Sequence, residues 1–478
     1  MKIVFASSEA HPFVKTGGLG DVMEALPNAL SKIKDNQIYI FLPYYSKIKN
    51  NPDIKTEYVD SFYIDLSWRR QYVGLYKYKS KKRKLKIYFI DNEQYFYRAS
   101  EYGEYDDGER FAYFSKAILE SLIKLAITPD IIHCNDWQTA LIPLFLHKFY
   151  HESLGSAKTV FTIHNIEYQG KCDMFFLGDT LGFNDSEKNT LAFNGNINLV
   201  KGAILSSDCI TTVSKTYAEE IKTDFHAHGL ANIISEHAFK LRGIVNGIDT
   251  DLYSPVNDKA LFANYGIDSV NEGKKKNKKQ LQKMLGLEVR SDAVMIGMVS
   301  RIVHHKGVDI VCRHIDELMK RDIQLVILGT GDVYYENILK DIANAYQGRF
   351  SLNLCFDQRL ASQIYASTDI YLMPSISEPC GLSQLIAMRY GAVPLVSKTG
   401  GLNDTVKHFC DNNDGTGFVF DRTDDSAFIK TLDECIDIFK NYKIKKDRLI
   451  ENAMRHDSSW NLPAIEYMEL YNGLLDNI

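Results

Sequence analysis

The sequence predicts an α/β protein of two doubly wound domains, each built on a mainly parallel sheet. Short apolar runs that fit strands buried on both faces recur along the chain, for example at residues 131–133, 159–163, 294–300 and 370–373. Segments with the apolar spacing of helices separate these runs. Because the alternation of strand and helix occurs in both halves of the chain, two parallel sheets are expected.

The first half opens with a strand at residues 2–8 and a loop that ends in KTGGLGD at residues 15–21. A helix is predicted from residue 22 to residue 34. Glycines before a helix let the backbone approach a ligand closely, and a helix start can receive a phosphate. Lys15 adds a mobile positive charge. The glycine spacing fits neither the dinucleotide fingerprint nor the P-loop, and a tight structural turn is the alternative.

Further strands of the first half end in polar residues. After a strand at residues 37–43, a β-meander is predicted at residues 58–92, and its basic run at 77–86 is interpreted as a solvated hairpin. A helix follows at residues 109–126. Later strands end in Asp136 and in His164-Asn165. Polar residues beyond the carboxyl end of parallel strands are candidate ligand contacts, although a lone histidine there is more often structural.

Residues 251–279 are polar and lack strong periodicity, and they include three consecutive lysines, Lys274, Lys275 and Lys276. We interpret this stretch as a connection between domains with its lysines in solvent.

The second half is organised around residues 369–405, which parse as strand, loop, helix, strand, loop, helix. Two adjacent strand-to-helix turns place two helix N-termini at one sheet edge, where backbone N–H groups favour an anion. Glu378 stands in the first turn, where a carboxylate can bind a hydroxylated ligand. Together these features suggest a sugar nucleotide, and an ordinary loop with a surface glutamate is the alternative. A last helix is predicted at residues 462–475.

Composition excludes several classes of function. The 478 residues carry a net charge of -5 with interspersed signs, which points to neither nucleic acid nor an anionic membrane. No apolar run approaches the roughly 20 residues of a membrane span, and Glu9 comes too early for a secretory signal. Eight scattered cysteines without a C-x-x-C pair indicate reduced thiols and predict a cytoplasmic protein.

Seven motifs together resemble those of bacterial glycogen synthases and plant starch synthases. In chain order they are KTGGLGD, HNIEYQG, NGID, SRIVHHKG, GTGD, EPCGLSQL and TGGLNDTV. The resemblance implies the two-Rossmann architecture called GT-B, with two lobes facing across a cleft. It assigns residues 1–245 to an acceptor and catalytic domain, residues 246–458 to a nucleotide-sugar donor domain, and residues 459–478 to a helix that returns to the first domain.

The resemblance also implies an activity. Members of this family transfer glucose from ADP-glucose to the nonreducing 4-OH of an α-1,4-glucan such as glycogen, and they retain the anomeric configuration. ADP-glucose is then the co-substrate and the glucan the acceptor, with no cofactor and no metal. Another GT-B transferase, a GT-B sugar-nucleotide epimerase and a catalytically silent glucan-binding protein remain as alternatives.

Carried over position by position, the resemblance implies the site residues. The expected catalytic residues are Lys306, Arg301, Glu378 and His164. The expected donor-binding residues are Lys15, Gly18, Asp21, Asn246, Phe356, Cys380, Gly381, Leu382 and Ser383. The expected sugar or acceptor contacts are Asp136, Asn165, Glu9 and Tyr95.

Overall fold

The computed structural model describes residues 1–79, 85–410, 414–422 and 424–476, and the chain forms two compact units. Unit 1 comprises Met1–Asn246 and Trp460–Ile478, and unit 2 comprises Gly247–Ser459. The turn of the predicted basic hairpin, residues 80–84, lies outside the described residues. Within the described ranges, no helix combines the length and apolar character needed to cross a membrane.

Unit 1 is built on a nine-stranded sheet with a small three-stranded sheet beside it. Its strands are β1 (Lys2–Ala6), β2 (Gln37–Pro43), β3 (Thr56–Leu66), β4 (Arg69–Tyr78), β5 (Lys86–Asp91), β6 (Ile131–Asn135), β7 (Lys158–Ile163), β8 (Lys171–Cys172), β9 (Ala192–Phe193), β10 (Asn196–Asn198), β11 (Cys209–Thr212) and β12 (Leu241–Gly243). The order in the large sheet is β12-β11-β7-β6-β1-β2-β5-β4-β3. The seven strands from β12 to β5 are parallel, whereas β4 runs antiparallel to both β5 and β3.

The helices of unit 1 connect these strands and cover the sheet. They are α1 (Gly18–Lys32), α2 (Ser46–Lys49), α3 (Glu93–Phe96), α4 (Asp107–Lys124), α5 (Ile142–Phe149), α6 (His151–Leu154), α7 (Phe176–Asp179), α8 (Lys188–Leu191), α9 (Leu199–Ser206), α10 (Lys215–Glu220) and α11 (Ala231–Glu236). α1 begins at Gly18, four residues earlier than predicted, because the glycines of the loop belong to the first helical turn. The central strands are apolar and buried on both faces, as parallel strands covered by helices require.

Unit 2 has one six-stranded, wholly parallel sheet. Its strands are β13 (Val294–Val299), β14 (Ile323–Leu328), β15 (Phe350–Asn353), β16 (Ile370–Met373), β17 (Val393–Ser397) and β18 (Phe418–Phe420). Its helices are α12 (Val270–Met284), α13 (Val308–Met319), α14 (Val333–Ala345), α15 (Gln358–Ser367), α16 (Ser383–Arg389), α17 (Gly400–Thr405), α18 (Asp425–Asn441) and α19 (Lys443–Arg455). The strand order β15-β14-β13-β16-β17-β18 is that of a Rossmann sheet, which reverses between β13 and β16.

Residues 251–279 were predicted to connect the domains with their lysines in solvent; they belong to unit 2 instead, and the prediction of solvated lysines is wrong for Lys274 and right for Lys275 and Lys276. The second part of this stretch forms α12, and Lys274 is buried against the core, while Lys275 and Lys276 are exposed. The Lys274 ammonium donates to the carbonyls of Tyr365 (3.2 Å) and Tyr390 (3.2 Å). Lysine is rarely buried, so three consecutive lysines predict a solvent-exposed segment. The carbonyls that allow Lys274 to be buried belong to residues 91 and 116 positions away, and the local sequence pattern does not reveal them.

The last helix, α20 (Asn461–Asp476), belongs to unit 1. Tyr467 and Tyr471 of this helix are buried, and the hydroxyl of Tyr471 lies 2.7 Å from Nδ1 of His133 in the middle of β6. Nε2 of the same histidine meets the hydroxyl of Thr162 in β7 at 2.5 Å. A buried polar chain therefore joins the C-terminal helix to the central strands of unit 1.

Candidate active site

The strand order of unit 2 reverses between β13 and β16, and loops that follow these two strands meet there. The backbone N–H of Ile376, after β16, donates to the carbonyl of His305, after β13, at 2.9 Å. Gly307 permits this approach, since it adopts φ +77° and a Cβ at its position would lie 1.8 Å from the carbonyl oxygen of Pro374. Open parallel sheets bind ligands at this reversal, so the loops define a candidate site.

Lys306 and Glu378 form an ion pair at this reversal. The Lys306 ammonium donates to both carboxylate oxygens of Glu378, at 2.9 Å to Oε1 and 2.7 Å to Oε2. Glu378 is only 6% exposed, and the hydroxyl of Ser375 also donates to its Oε2, at 3.1 Å. The two predicted catalytic residues are thus brought together, with the lysine the more exposed of the two.

Arg301 and Phe356 follow β13 and β15, two strands of the same sheet that are separated by β14, and both side chains are exposed. Arg301 lies after β13 and forms no ion pair with a described carboxylate. Phe356 lies after β15 and is 88% exposed. A solvated guanidinium and an open aromatic face are available to a ligand, one for phosphate and the other for a base.

The turn from Cys380 to Ser383 is packed against the start of α17. A Cβ at Gly401 would lie 2.1 Å from the carbonyl oxygen of Cys380, and the Gly401 N–H donates to the carbonyls of Glu378 and Pro379, both at 3.1 Å. Gly381 has φ +71°, Leu382 precedes the first residue of α16, and the Ser383 hydroxyl lies 3.2 Å from Sδ of Met373. The backbone that carries Glu378 is therefore tightly fixed.

Unit 1 reverses its strand order between β1 and β6, and Asp136 follows β6 there. Asp136 has φ 57° and ψ 179°, a region that non-glycine residues adopt only with strain. Its Oδ1 accepts the backbone N–H of His164 at 2.8 Å. Burial raises the pKa of Asp136 to about 7, and the hydrogen bonds from the backbone of His164 and Asn165 partly oppose this shift.

His164 is held as a neutral imidazole. Burial lowers its pKa to about 3, and its Nε2 lies 2.9 Å from Oδ1 of Asn135. The amide nitrogen of Asn135 donates to the carbonyls of Ala6 and His133, so its oxygen faces the ring and Nε2 carries the hydrogen. Nδ1 of His164 is therefore an acceptor, which suits a hydroxyl donor better than proton donation.

The glycine loop after β1 contains an ion pair and a buried carboxylate. The Lys15 ammonium donates to Oδ1 of Asp21 at 2.7 Å, and burial raises the pKa of Asp21 while Lys15 opposes the shift. Glu9 accepts hydrogen bonds from the Thr16 N–H, the Thr16 hydroxyl and the Tyr102 hydroxyl, at 2.5 to 2.7 Å. Glu9 therefore holds the loop in shape, and Gly18 is exposed as the first residue of α1.

Tyr95 and Asn246, two of the predicted site residues, are both buried in unit 1. Tyr95 is 0% exposed, and its hydroxyl donates to Oε1 of Glu109 at 2.5 Å, so the structure places it in the core of unit 1. Asn246, the last residue of the first segment of unit 1, is 5% exposed, and its Oδ1 has no donor among the described residues. Such an orphan acceptor is a candidate for a ligand donor.

Sequence reasoning missed Ser375 and Gln384, which support Glu378 and its turn. Gln384 donates from Nε2 to the carbonyls of Cys380 and Gly381, at 3.0 and 2.9 Å. The available signal for Ser375 was its place two residues beyond the end of β16, where polar residues face the ligand edge.

Comparison with known families supports this reading of the chain. The family described as starch synthase catalytic domain matches residues 2–236, and the family described as glycosyl transferases group 1 matches residues 280–456. The glycogen synthase of Streptococcus equi subsp. zooepidemicus is 45% identical over 480 residues, covering 99% of this chain and 100% of that protein. The glycogen synthase of Caldicellulosiruptor bescii is 43% identical over 482 residues, covering 100% of both.

Solved structures are similar as well. The catalytic domain of starch synthase IV from Arabidopsis thaliana, bound to ADP and acarbose, has a TM-score of 0.91 and 34% identity, with 99% of each chain covered. The sucrose-phosphate synthase of Thermosynechococcus elongatus has a TM-score of 0.61 and 15% identity, covers 100% of both chains, and shows the shared fold alone.

The two Rossmann-like units and their ligand edges define a glycosyltransferase of the GT-B class, as predicted. Within that class the chain belongs to the glycogen and starch synthase family, because its first half matches the starch synthase catalytic domain and a glycogen synthase is 45% identical to it over 99% of its length. The fold class, the family and the glycosyltransferase activity predicted from the motifs are confirmed.

Proposed function

We propose that this protein transfers glucose from ADP-glucose to the nonreducing 4-OH of an α-1,4-glucan with retention of configuration. The observation that carries the proposal is the Lys306–Glu378 pair at the strand reversal of unit 2, together with the exposed Arg301, which follows β13 as Lys306 does. The related starch synthase IV binds ADP and acarbose, which supports a nucleotide and a glucan as ligands.

The cations and the carboxylate have separate roles in the proposed reaction. The diphosphate gains negative charge as the glycosidic bond breaks, and Lys306 and Arg301 stabilise that charge. Glu378 positions the Lys306 ammonium and can accept hydrogen bonds from glucose hydroxyls. Phe356 offers its exposed ring to the base, and the turn from Cys380 to Ser383 supports glucose and phosphate.

The ligand edge of unit 1, beyond the carboxyl ends of its parallel strands, supplies the proposed sugar contacts. Asp136 and Nδ1 of His164 are acceptors for hydroxyl groups, with Asn165 beside them, and Asn246 offers its orphan oxygen. Lys15 in the glycine loop and Gly18 at the start of α1 are the residues that we propose to contact the diphosphate, with Asp21 paired to the lysine. We assign Glu9 and Tyr95 to holding this unit in shape rather than to the acceptor.

A retaining glycosidase uses two carboxylates flanking the bond, whereas here Glu378 is occupied by Lys306. We therefore propose an oxocarbenium-like transition state in which the departing diphosphate accepts the proton of the attacking 4-OH. No metal and no organic cofactor take part in this scheme, because lysine and arginine balance the charge. Chelation with EDTA should then leave the rate unchanged, and a loss restored by Mg²⁺ would contradict the scheme.

The eight cysteines, all among the described residues, form no disulfide, which supports the proposal of a reducing, cytoplasmic compartment.

The experiment that tests the proposal is incorporation of labelled glucose into glycogen, with ADP-glucose and UDP-glucose in parallel. We expect incorporation from ADP-glucose that exceeds incorporation from UDP-glucose, and linkage analysis should show new α-1,4 bonds. Glycogen binding without incorporation from either donor would establish a silent binding protein. A new sugar nucleotide formed without any acceptor would instead indicate an epimerase.

A further inference from the structure

The β3–β4 hairpin of unit 1 extends beyond the sheet at its ligand edge. β3 runs in the same direction as β1, because β4 is antiparallel to both β3 and β5, so the turn after β3 lies at the edge where Asp136 is found. The register pairs Gly74 of β4 with Asp91, the last residue of β5, so that residues 69–73 continue past it. Five residues of strand span about 17 Å.

Trp68 stands at the tip of this hairpin with its indole in a fixed orientation. It is 73% exposed, yet its Nε1–H donates to Oδ1 of Asp179 at 2.9 Å. The Arg69 guanidinium lies over the indole ring, 4.3 Å from its centroid, and also donates to the backbone carbonyl and to Oδ2 of Asp179, both at 2.7 Å. Arg69 thus covers one face of the indole ring, and Asp179 accepts the hydrogen bond of its only polar atom. The other face of the ring remains open to solvent.

A second exposed ring stands one helical turn before Asp179. Phe175 is among the most exposed aromatic side chains of the chain, and its carbonyl accepts the N–H of Asp179 at 2.9 Å. Residues four apart on a helical turn lie on the same side. The tip of the hairpin is also joined to this turn through the Ser67 hydroxyl, which donates to the carbonyl of Gly178 at 3.0 Å. Trp68 and Phe175 are therefore both connected to the turn that ends at Asp179.

We infer that Trp68 and Phe175 form a glucan-stacking platform, separate from the transfer site, for an acceptor of several glucose units. This inference rests on the proposed glucan acceptor. Sugar rings present apolar C–H faces bordered by hydroxyls, and an aromatic face next to a carboxylate and a guanidinium complements both features. Because the indole is already fixed, stacking costs little side-chain entropy.

The position of the platform predicts a dependence on chain length. β3 is four strands away from β1, which corresponds to about 19 Å at the usual strand spacing. A short acceptor bound near Asp136, at the ligand edge of unit 1, does not span that distance, whereas a long glucan branch does. The platform therefore holds polymeric acceptor near the transfer site and does not take part in the chemistry.

The test compares Trp68→Ala and Phe175→Ala with Tyr334→Ala, an exposed aromatic control in α14 of unit 2. We expect either variant at the platform to weaken retention in a glycogen-containing native gel and to raise the KM for glycogen by about threefold to tenfold. The KM for maltotriose and for ADP-glucose should not change. Trp68→Phe, which keeps a ring, should restore most of the binding.

Two results would overturn the inference. Unchanged glycogen retention and KM in both platform variants, with unfolding temperatures equal to wild type, would show that no glucan binds there. A loss of self-association in size-exclusion chromatography, without loss of glycogen retention, would make the surface a contact between copies of this chain. Gel retention does not depend on transfer, so a failure of the proposed activity is recognised separately.

Discussion

At the residue scale, Asp136 combines backbone strain with a perturbed carboxyl group. Its φ of 57° and ψ of 179° fall in a region that glycine adopts freely and other residues adopt at a cost of about 1–3 kcal/mol. Strain of this kind persists only where the surroundings impose it, here through the backbone hydrogen bond from His164 to the Asp136 carboxylate. The strain at Asp136 lowers the stability of the fold, as is found for residues held in place at functional sites.

We predict that Asp136→Gly is more stable than Asp136→Ala. Both variants lose the carboxylate equally, so their difference reports the backbone, and relief of strain should favour glycine by about 1–3 kcal/mol. At an unstrained position alanine is favoured. Urea unfolding of the two variants measures the difference, and greater stability of the alanine variant would contradict the assigned strain. Both variants should have low transferase activity.

Lys306 is partly buried and Arg301 is exposed, so their substitutions should affect turnover alike and stability differently. Arg301→Ala should lower turnover by ~10²-fold or more with little change in the unfolding temperature, because the side chain is exposed. Lys306→Ala should lower turnover similarly and also destabilise the protein, since it leaves the buried Glu378 carboxylate unpaired.

The double variant Lys306→Ala/Glu378→Gln provides the control for that prediction. Removal of the unpaired charge should recover stability but not turnover, as measured by thermal unfolding and by initial rates. Near-normal turnover in a folded Lys306→Ala or Arg301→Ala protein would exclude the proposed role in stabilising the leaving group.

At the element scale, Lys274 of α12 caps the carbonyl ends of two other helices. Its ammonium donates to Tyr365 in the last turn of α15 and to Tyr390, which follows α16. Burial lowers the pKa of Lys274 to about 7, against 10.5 for the unperturbed group. Between these values the unfolded chain binds more protons than the folded one, so stability rises with pH.

The pH dependence is testable with Lys274→Met and its exposed neighbour Lys275→Met. We expect the unfolding temperature of wild type to rise relative to Lys274→Met as the pH increases from 7 to 10, because only wild type gains this linkage contribution. The gap between wild type and Lys275→Met should stay constant. A constant gap for Lys274→Met as well would show that Lys274 does not titrate in this range.

At the scale of the whole molecule, the chain leaves unit 1 at Asn246 and returns to it at Trp460. The return is fixed by a hydrogen bond that joins Tyr471 in α20 and His133 in β6, two residues 338 positions apart. His133 is buried, and burial lowers its pKa to about 3, so it remains neutral and needs both ring nitrogens satisfied. β6 also carries Asp136 at its end.

We predict that Tyr471→Phe destabilises unit 1 and not unit 2. Loss of the hydroxyl leaves a buried ring nitrogen without a partner, at a cost of about 1–3 kcal/mol. Hydrogen exchange should become faster in β1, β6 and β7, and should be unchanged in β13 to β17. Ile465→Ala, at an exposed position of the same helix, is the control, and equal effects in both units would contradict the assignment.

Much of the fold could be predicted from the sequence because the interactions that determine strands, helices and turns are local. The period of apolar residues and the glycines at turns reflect backbone geometry within a few residues, and they predicted the alternation of strands and helices. The rule that ligands bind beyond the carboxyl ends of parallel strands then placed Asp136, His164 and Glu378 at ligand edges. The order of seven motifs indicated the family.

Tertiary structure alone decided which of these groups interact and which are buried. Lys306 meets Glu378 across 72 positions, Tyr95 lies in the core, Lys274 is buried, and Asp136 is strained. Each of these outcomes depends on contacts between distant segments, whose free energies no local pattern records. The sequence by itself determined the two Rossmann-like units and the chemistry available at their edges. Packing decided the pairing, the protonation and the strain, because burial changes the free energy of every charge.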